Sequence, residues 1–243
     1  MSGHSKWAQI KHKKAITDAK KGQLFSKIVR GIALAARSGG PNPETNPGLR
    51  RALERAQAQG VPKDNLRRAL ARASGNDDAV NLQEFLYEAT APGGILILIE
   101  GITDNKNRTL TEIKQILTRY GGKLAAPGSV LWNFDKIGII EVEAKAVSAE
   151  SKENLEMAII ESGATDFQVL NGVWIVETNL SELESVRQKL EQQKIPVKNS
   201  GFDYKSKSPL ELPAEDKSRI PKILDEVRDQ NEVQEIYSNI IEK

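Results

Sequence analysis

Two histidines, His4 and His12, are the only imidazoles in the 243 residues, and cysteine is absent. Without cysteine there is no thiolate nucleophile, no disulfide and no cysteine-held zinc or iron–sulfur centre. Both histidines sit in a lysine-rich opening whose single acid, Asp18, reads as a local counterion. A Ser-His-Asp triad would have no carboxylate to orient its base there. Carboxylates do occur in pairs: Glu141/Glu143, Glu182/Glu184, Glu215/Asp216 and Asp225/Glu226. They fall on one face of a strand or at solvent positions of helices, where pairs of acids are ordinarily just hydrated. No metal-ligand spacing, P-loop or GxGxxG is present. The sequence therefore predicts no enzyme, no metal and no cofactor.

The chemistry that remains is cationic. Lys6, Lys11, Lys13, Lys14, Lys20, Lys21, Lys27 and Arg30 form one cluster, and Arg50, Arg51, Arg55, Arg67, Arg68 and Arg72 a second. Residues 1–75 hold 16 Lys or Arg against 4 Asp or Glu, a net of +12. The remainder holds 19 against 29, a net of −10. A domain this basic repels itself and gains little from its charge without a polyanion. Lys and Arg neutralise phosphates and release counterions, which makes nucleic acid the natural partner. Trp7 and His12 lie among these cations; Trp7 either stacks on a base or anchors the arm to the bundle. A second candidate anion contact is the loop Thr103-Asp104-Asn105-Lys106-Asn107-Arg108-Thr109, which leads from a strand into a helix N-terminus and carries Lys106 and Arg108. The alternative is a capped loop whose polar groups only satisfy its own backbone.

The elements that must position these groups follow from spacing. Residues 1–22 read as a short helix or an arm. Phe25, Ile28, Val29, Ile32 and Ala36 recur at helical spacing over 23–38. Gly39-Gly40-Pro41 stops that helix, and Asn46-Pro47 starts the next, with Asn as cap and Pro in the first turn. A third helix follows Pro62 and closes at Gly75. The pair resembles a helix-turn-helix, as any three-helix bundle does. From residue 82 the pattern changes to a hairpin around Pro92-Gly93-Gly94, then a helix over 109–120 opened by a Thr109/Glu112 capping box, then a strand over 130–134. Residues 137–204 read β-α-β-β-α-β, a ferredoxin-like unit that is acidic on balance. Its predicted central strands offer only Trp174 as an aromatic, which opposes RNA recognition by that sheet. A helix from about 215 to 229 and a strand over 233–237 cannot form a core alone, so they are expected to return to the earlier sheet.

The predicted fold is α+β and multi-domain. A basic three-helix domain (1–76) precedes a discontinuous α+β domain (77–134 plus 205–243), into which the ferredoxin-like domain (135–204) is inserted. No run of about 18 apolar residues and no secretory h-region are found, so a cytoplasmic protein without membrane contact is expected.

These residues also resemble a known family. Ser2-Gly3-His4-Ser5-Lys6-Trp7-Ala8-Gln9-Ile10-Lys11-His12-Lys13-Lys14, then Asp18-Ala19-Lys20-Lys21-Gly22, looks like the opening of the YebC/PmpR proteins. So do Val61-Pro62-Lys63-Asp64-Asn65, Tyr87-Glu88, the 103–109 loop, Pro127-Gly128-Ser129-Val130 and Val233-Gln234-Glu235-Ile236-Tyr237-Ser238-Asn239. The chain departs at Ala89-Thr90-Ala91, where the family usually carries glycines. The resemblance implies a three-helix domain followed by two α+β domains. It implies DNA-binding transcription regulation, or, as in related mitochondrial translational activators, work on ribosomes, with the basic domain contacting DNA or RNA in either case.

Overall fold

The computed structural model describes residues 18–74, 82–143, 149–170, 172–213 and 216–241. They fall into two compact units, Met1–Asn133 with Ser208–Lys243, and Phe134–Lys207.

Among the described residues, the first unit begins with three helices: α1 (Asp18–Gly39), α2 (Pro47–Ala58) and α3 (Lys63–Ser74). Ile32 and Ala36 of α1 meet Leu49 and Ala56 of α2 and Leu66 and Ala69 of α3 in a closed apolar cluster. Both α2 and α3 pack chiefly on α1. Asn46 sets the α1–α2 corner. Its Oδ1 accepts the Leu49 N–H at 3.0 Å, while its Nδ2 donates to the Ala35 and Gly40 carbonyls at 2.7 and 2.8 Å. One buried amide thus caps α2 and satisfies carbonyls at the end of α1.

The same unit continues with β1 (Gln83–Ala91), β2 (Ile95–Thr103), α4 (Lys106–Arg119) and β3 (Lys123–Leu124), and returns after the second unit with α7 (Ile220–Arg228) and β8 (Val233–Ser238). The antiparallel sheet has the order β3-β1-β2-β8. Gly93 and Gly94, at φ +77° and +75°, make the β1–β2 turn in a backbone region that other residues enter only with strain. Ile95, Ile97 and Ile99 of β2 pack with Ile113 and Leu117 of α4 and Ile223 and Val227 of α7. The returning strand expected over 233–237 is present and pairs with β2.

The second unit is β4 (Phe134–Glu143), α5 (Ala149–Ser162), β5 (Asp166–Leu170), β6 (Val173–Asn179), α6 (Leu183–Gln192) and β7 (Val197–Ser206), with sheet order β5-β6-β4-β7. That is the ferredoxin-like arrangement. Ile140, Val142, Trp174 and Val176 pack with Leu155 and Ile159 of α5 and Val186 and Leu190 of α6. Trp174 is therefore a core residue, unavailable for stacking on a base.

Three local expectations need correction. The strand predicted over 130–134 is a 3-10 turn at Leu131–Asn133, and β4 starts only at Phe134. The Glu88 carboxylate takes the N–H groups of Gly128, Val130 and Leu131, which diverts them from any ladder. Helix α4 is capped by Asn105, whose side chain accepts from the Arg108 N–H, rather than by Thr109. The Thr109 hydroxyl is buried instead against that of Thr103 at 2.8 Å. The last helix begins at Ile220, with Pro221 in its first turn, because residues 216–219 form turns.

Candidate nucleic-acid interface

The sequence groups sixteen residues into one N-terminal contact surface, and the structure separates those it describes. Lys6, Trp7, Lys11, His12, Lys13 and Lys14 lie outside the described residues, as do the side chains of Lys20, Arg55 and Arg72. Lys21 is exposed near the start of α1.

Arg50 and Arg51 on α2, and Arg67 and Arg68 on α3, are exposed. The reason is local: each helix turns its few apolar residues onto α1, so these four arginines are left away from that cluster. Arg50 and Arg51 meet no acidic side chain among the described residues. Arg67 lies 3.5 Å from Asp64, both being largely exposed, which leaves the pair weak and screened. Arg68 donates to the Asp64 carbonyl at 3.3 Å and to Asn65 Oδ1 at 2.9 Å, neutral partners that leave its charge uncancelled.

Lys27 and Arg30 are placed differently from these arginines. They sit one turn apart on α1 but face the body of their own unit. The Lys27 ammonium donates to the Arg228 carbonyl at the end of α7, at 2.5 Å. Arg30 Nη1 donates to the Asn231 carbonyl at 3.1 Å and lies 3.4 Å from Glu232. Gln234 donates back to the Lys27 carbonyl at 3.3 Å. Together these contacts form a polar seam between α1 and the α7–β8 turn. Burial lowers the Lys27 pKa to about 8, although Glu235, Asp229 and Glu232 pull it upward.

Arg108 is likewise engaged within the molecule. It pairs with Asp104 at 2.6 Å, Glu232 at 3.3 Å and Glu112 at 4.0 Å. Three carboxylates around one guanidinium make a poor anion site. Lys106 is exposed, and its carbonyl accepts the Tyr87 hydroxyl at 3.0 Å. The 103–109 loop is thus held mainly by its own capping and by Glu232, which bridges Arg30 and Arg108 from a nearly buried position. Sequence reasoning missed Glu232 altogether. Its one visible signal is a lone acid immediately before the last strand.

Among the described residues no group of three or more His, Cys, Asp or Glu is placed to hold a metal ion. None of the described helices is long and apolar enough to cross a membrane. The arrangement offers an exposed arginine surface on a small helical bundle, fixed by its polar seam to an α+β body.

Comparison with known proteins places this architecture. Residues 5–76 match the TACO1/YebC protein N-terminal domain, and residues 82–240 the TACO1/YebC second and third domain. The chain belongs to the TACO1/YebC family. It is 42% identical over 240 residues to a probable transcriptional regulatory protein of Caldanaerobacter subterraneus subsp. tengcongensis, covering 99% of this chain and 98% of the relative. A probable transcriptional regulatory protein of Thermotoga maritima is 41% identical, with 98% and 93% covered. The crystal structure of a conserved hypothetical protein from Aquifex aeolicus superposes with a TM-score of 0.86 at 40% identity, covering 98% of each chain.

Proposed function

We propose that this chain is a nucleic-acid-binding regulator of gene expression that grips phosphates with its N-terminal helical bundle. The leading reading is DNA binding in transcription, in keeping with the names its relatives carry. The observation that carries it is the set of exposed arginines, Arg50, Arg51, Arg67 and Arg68, on helices whose apolar residues are committed to the bundle core. Lys6, Lys11, Lys13, Lys14, Lys20 and Lys21, with Trp7 and His12, extend the same charge toward the N-terminus. Arg55 and Arg72 belong to the same two helices. No catalytic step is part of this reading.

Protection of duplex promoter DNA in a footprinting assay tests the transcriptional form. The alternative is an RNA target on the ribosome. Cosedimentation with ribosomes that is lost when Lys11, Lys13 and Lys14 are changed to Glu, with no footprint on duplex DNA, would replace the first form by the second. Absence of both would end the proposal.

A further inference from the structure

Helix α5 carries two apolar faces, and the core of its own unit uses one of them. Leu155 and Ile159 are buried with Trp174, Val176 and Val186. Met157 and Ile160, on another side of the helix, are 59% and 60% exposed. Three residues apart, they are neighbours on the helix surface. A helix that covers a core from one side needs a single apolar stripe, with polar residues opposite. The second stripe adds nothing to that core. Val169, 44% exposed, belongs to β5, an edge strand of the sheet. It lies two residues from Phe167, which packs on the same cluster as Ile159, so it rises from the sheet face that α5 covers.

Acids bound this stripe. Glu153 and Glu161 stand one turn before and one turn after Met157, and Glu156 one turn before Ile160. Glu153 and Glu161 are exposed, and Glu156 is half-buried. Lys152 is the one base of the helix, and it lies over the Trp174 ring, 5.9 Å from the centroid. The unit as a whole has the same sign: residues 134–207 hold 9 Lys or Arg against 13 Asp or Glu, a net of −4. Carboxylates here repel a phosphate backbone or an anionic lipid surface. They also oppose a second copy of the chain. Two α5 helices packed antiparallel about Met157 and Ile160 bring Glu156 of each against Glu161 of the other, and parallel packing aligns like acids.

We infer that this face of α5 docks a basic amphipathic helix of a partner protein. Met157, Ile160 and Val169 receive its apolar residues, and Glu153, Glu156 and Glu161 its lysines or arginines. Three apolar side chains make a small contact, so the complex is transient, with an affinity of about micromolar order that salt weakens. The docking stands apart from phosphate binding by the bundle and needs none of the bundle's arginines.

The full chain is titrated into a fluorescently labelled helical peptide of about five turns, with leucines along one face and lysines beside them. Two control peptides have the same lysines and leucines scrambled so that no apolar face forms, or glutamate in place of every lysine. The parent should bind the patterned basic peptide at least about 10-fold more tightly than either control. Met157→Ser with Ile160→Ser should lower that affinity by at least about 10-fold. Met157→Leu with Ile160→Leu should retain it, because an apolar surface is the working part. Glu153→Gln, Glu156→Gln and Glu161→Gln together should lower it by about 5- to 10-fold at roughly 50 mM salt and flatten its salt dependence. Changing Arg50, Arg51, Arg67 and Arg68 to Ala should leave it within about 2-fold of the parent. Melting temperatures of the α5 variants should stay near that of the parent, which separates a docking role from a structural one. Failure of the parent to bind the patterned peptide overturns the proposal. So does equal binding of the scrambled peptide, or unchanged binding by the serine variant, since charge alone would then account for the contact. In sedimentation velocity, a dimer of the parent that the serine variant dissociates would assign the face to a second copy and overturn the partner helix.

Discussion

Helix α1 turns Lys27 and Arg30 onto carbonyls and Glu232 of its own unit, whereas α2 holds Arg50 and Arg51, and α3 holds Arg67 and Arg68, in water. The two sets are close in sequence, and each of their residues carries one positive charge. The difference lies in what faces each helix. Helix α1 is flanked by the α7–β8 turn, whose carbonyls and acids take up its cations. Helices α2 and α3 pack chiefly on α1, and among the described residues Arg50, Arg51, Arg67 and Arg68 are exposed. Net charge therefore overstates the cationic surface available to a partner. Among the described residues, Lys27 and Arg30 are engaged within their own unit, while Arg50, Arg51, Arg67 and Arg68 are exposed.

The most forceful way to break this distinction is to reverse the outward set. Arg50, Arg51, Arg67 and Arg68 changed together to Glu should lower nucleic-acid affinity by at least about 100-fold at roughly 150 mM salt. Thermal stability should change little, because exposed substitutions away from caps and cores have small effects. Electrophoretic mobility shift with parallel calorimetry checks both halves.

The inward set should show the opposite signature. Glu232→Gln leaves Arg30 and Arg108 facing a neutral amide, and should cost about 2 kcal/mol of stability. Nucleic-acid affinity should stay within about 2-fold of the parent. A denaturant titration and one binding curve suffice, and a large binding loss with unchanged stability would reverse the assignment.

Lys27 sharpens the comparison through pH. Its folded pKa, about 8, lies below the ordinary value of 10.5 that the unfolded chain restores. Below about pH 8 both states are protonated, and the folded state bears the full cost of a buried charge. Between about 8 and 10.5 the unfolded state binds more protons, so this residue's contribution to stability rises with pH. Lys27→Met should therefore stabilise the protein by about 1–2 kcal/mol at pH 7, net of the lost hydrogen bond to Arg228. That gain should shrink toward pH 10, which urea unfolding at several pH values would show. A smaller effect is expected at the bundle corner. Asn46→Ala should cost about 1 kcal/mol through the loss of the α2 cap.

Much of the fold was legible because its signals are local. Ile32 and Ala36 recur at helical spacing, Asn46-Pro47 caps a helix, and Gly93-Gly94 turns a hairpin. The β-α-β-β-α-β order over 137–204 could be read from alternating periods, since each element carries its own apolar face. What escaped depends on contacts distant in sequence. Glu88 reshapes residues 128–131 from about 40 positions away, so a stretch that reads as a strand becomes a turn. Thr109 resembles a helix cap until its hydroxyl is found buried against Thr103. Lys27 and Arg30 look like any other cations until the α7–β8 turn, some 200 residues later, is placed beside them. The exposure of Trp132 was equally invisible, because its flanking Val130 and Phe134 suggest a buried strand.

The most direct test of the account is the salt dependence of binding by the full chain, compared between the parent and the variant with Arg50, Arg51, Arg67 and Arg68 all changed to Ala. If each arginine neutralises one phosphate, the slope of log affinity against log salt should fall in magnitude by about 3 to 4 on duplex DNA, or by about 3 on a single strand. An unchanged slope would mean that these arginines touch no phosphate, and would contradict the outward-facing bundle as the contact surface.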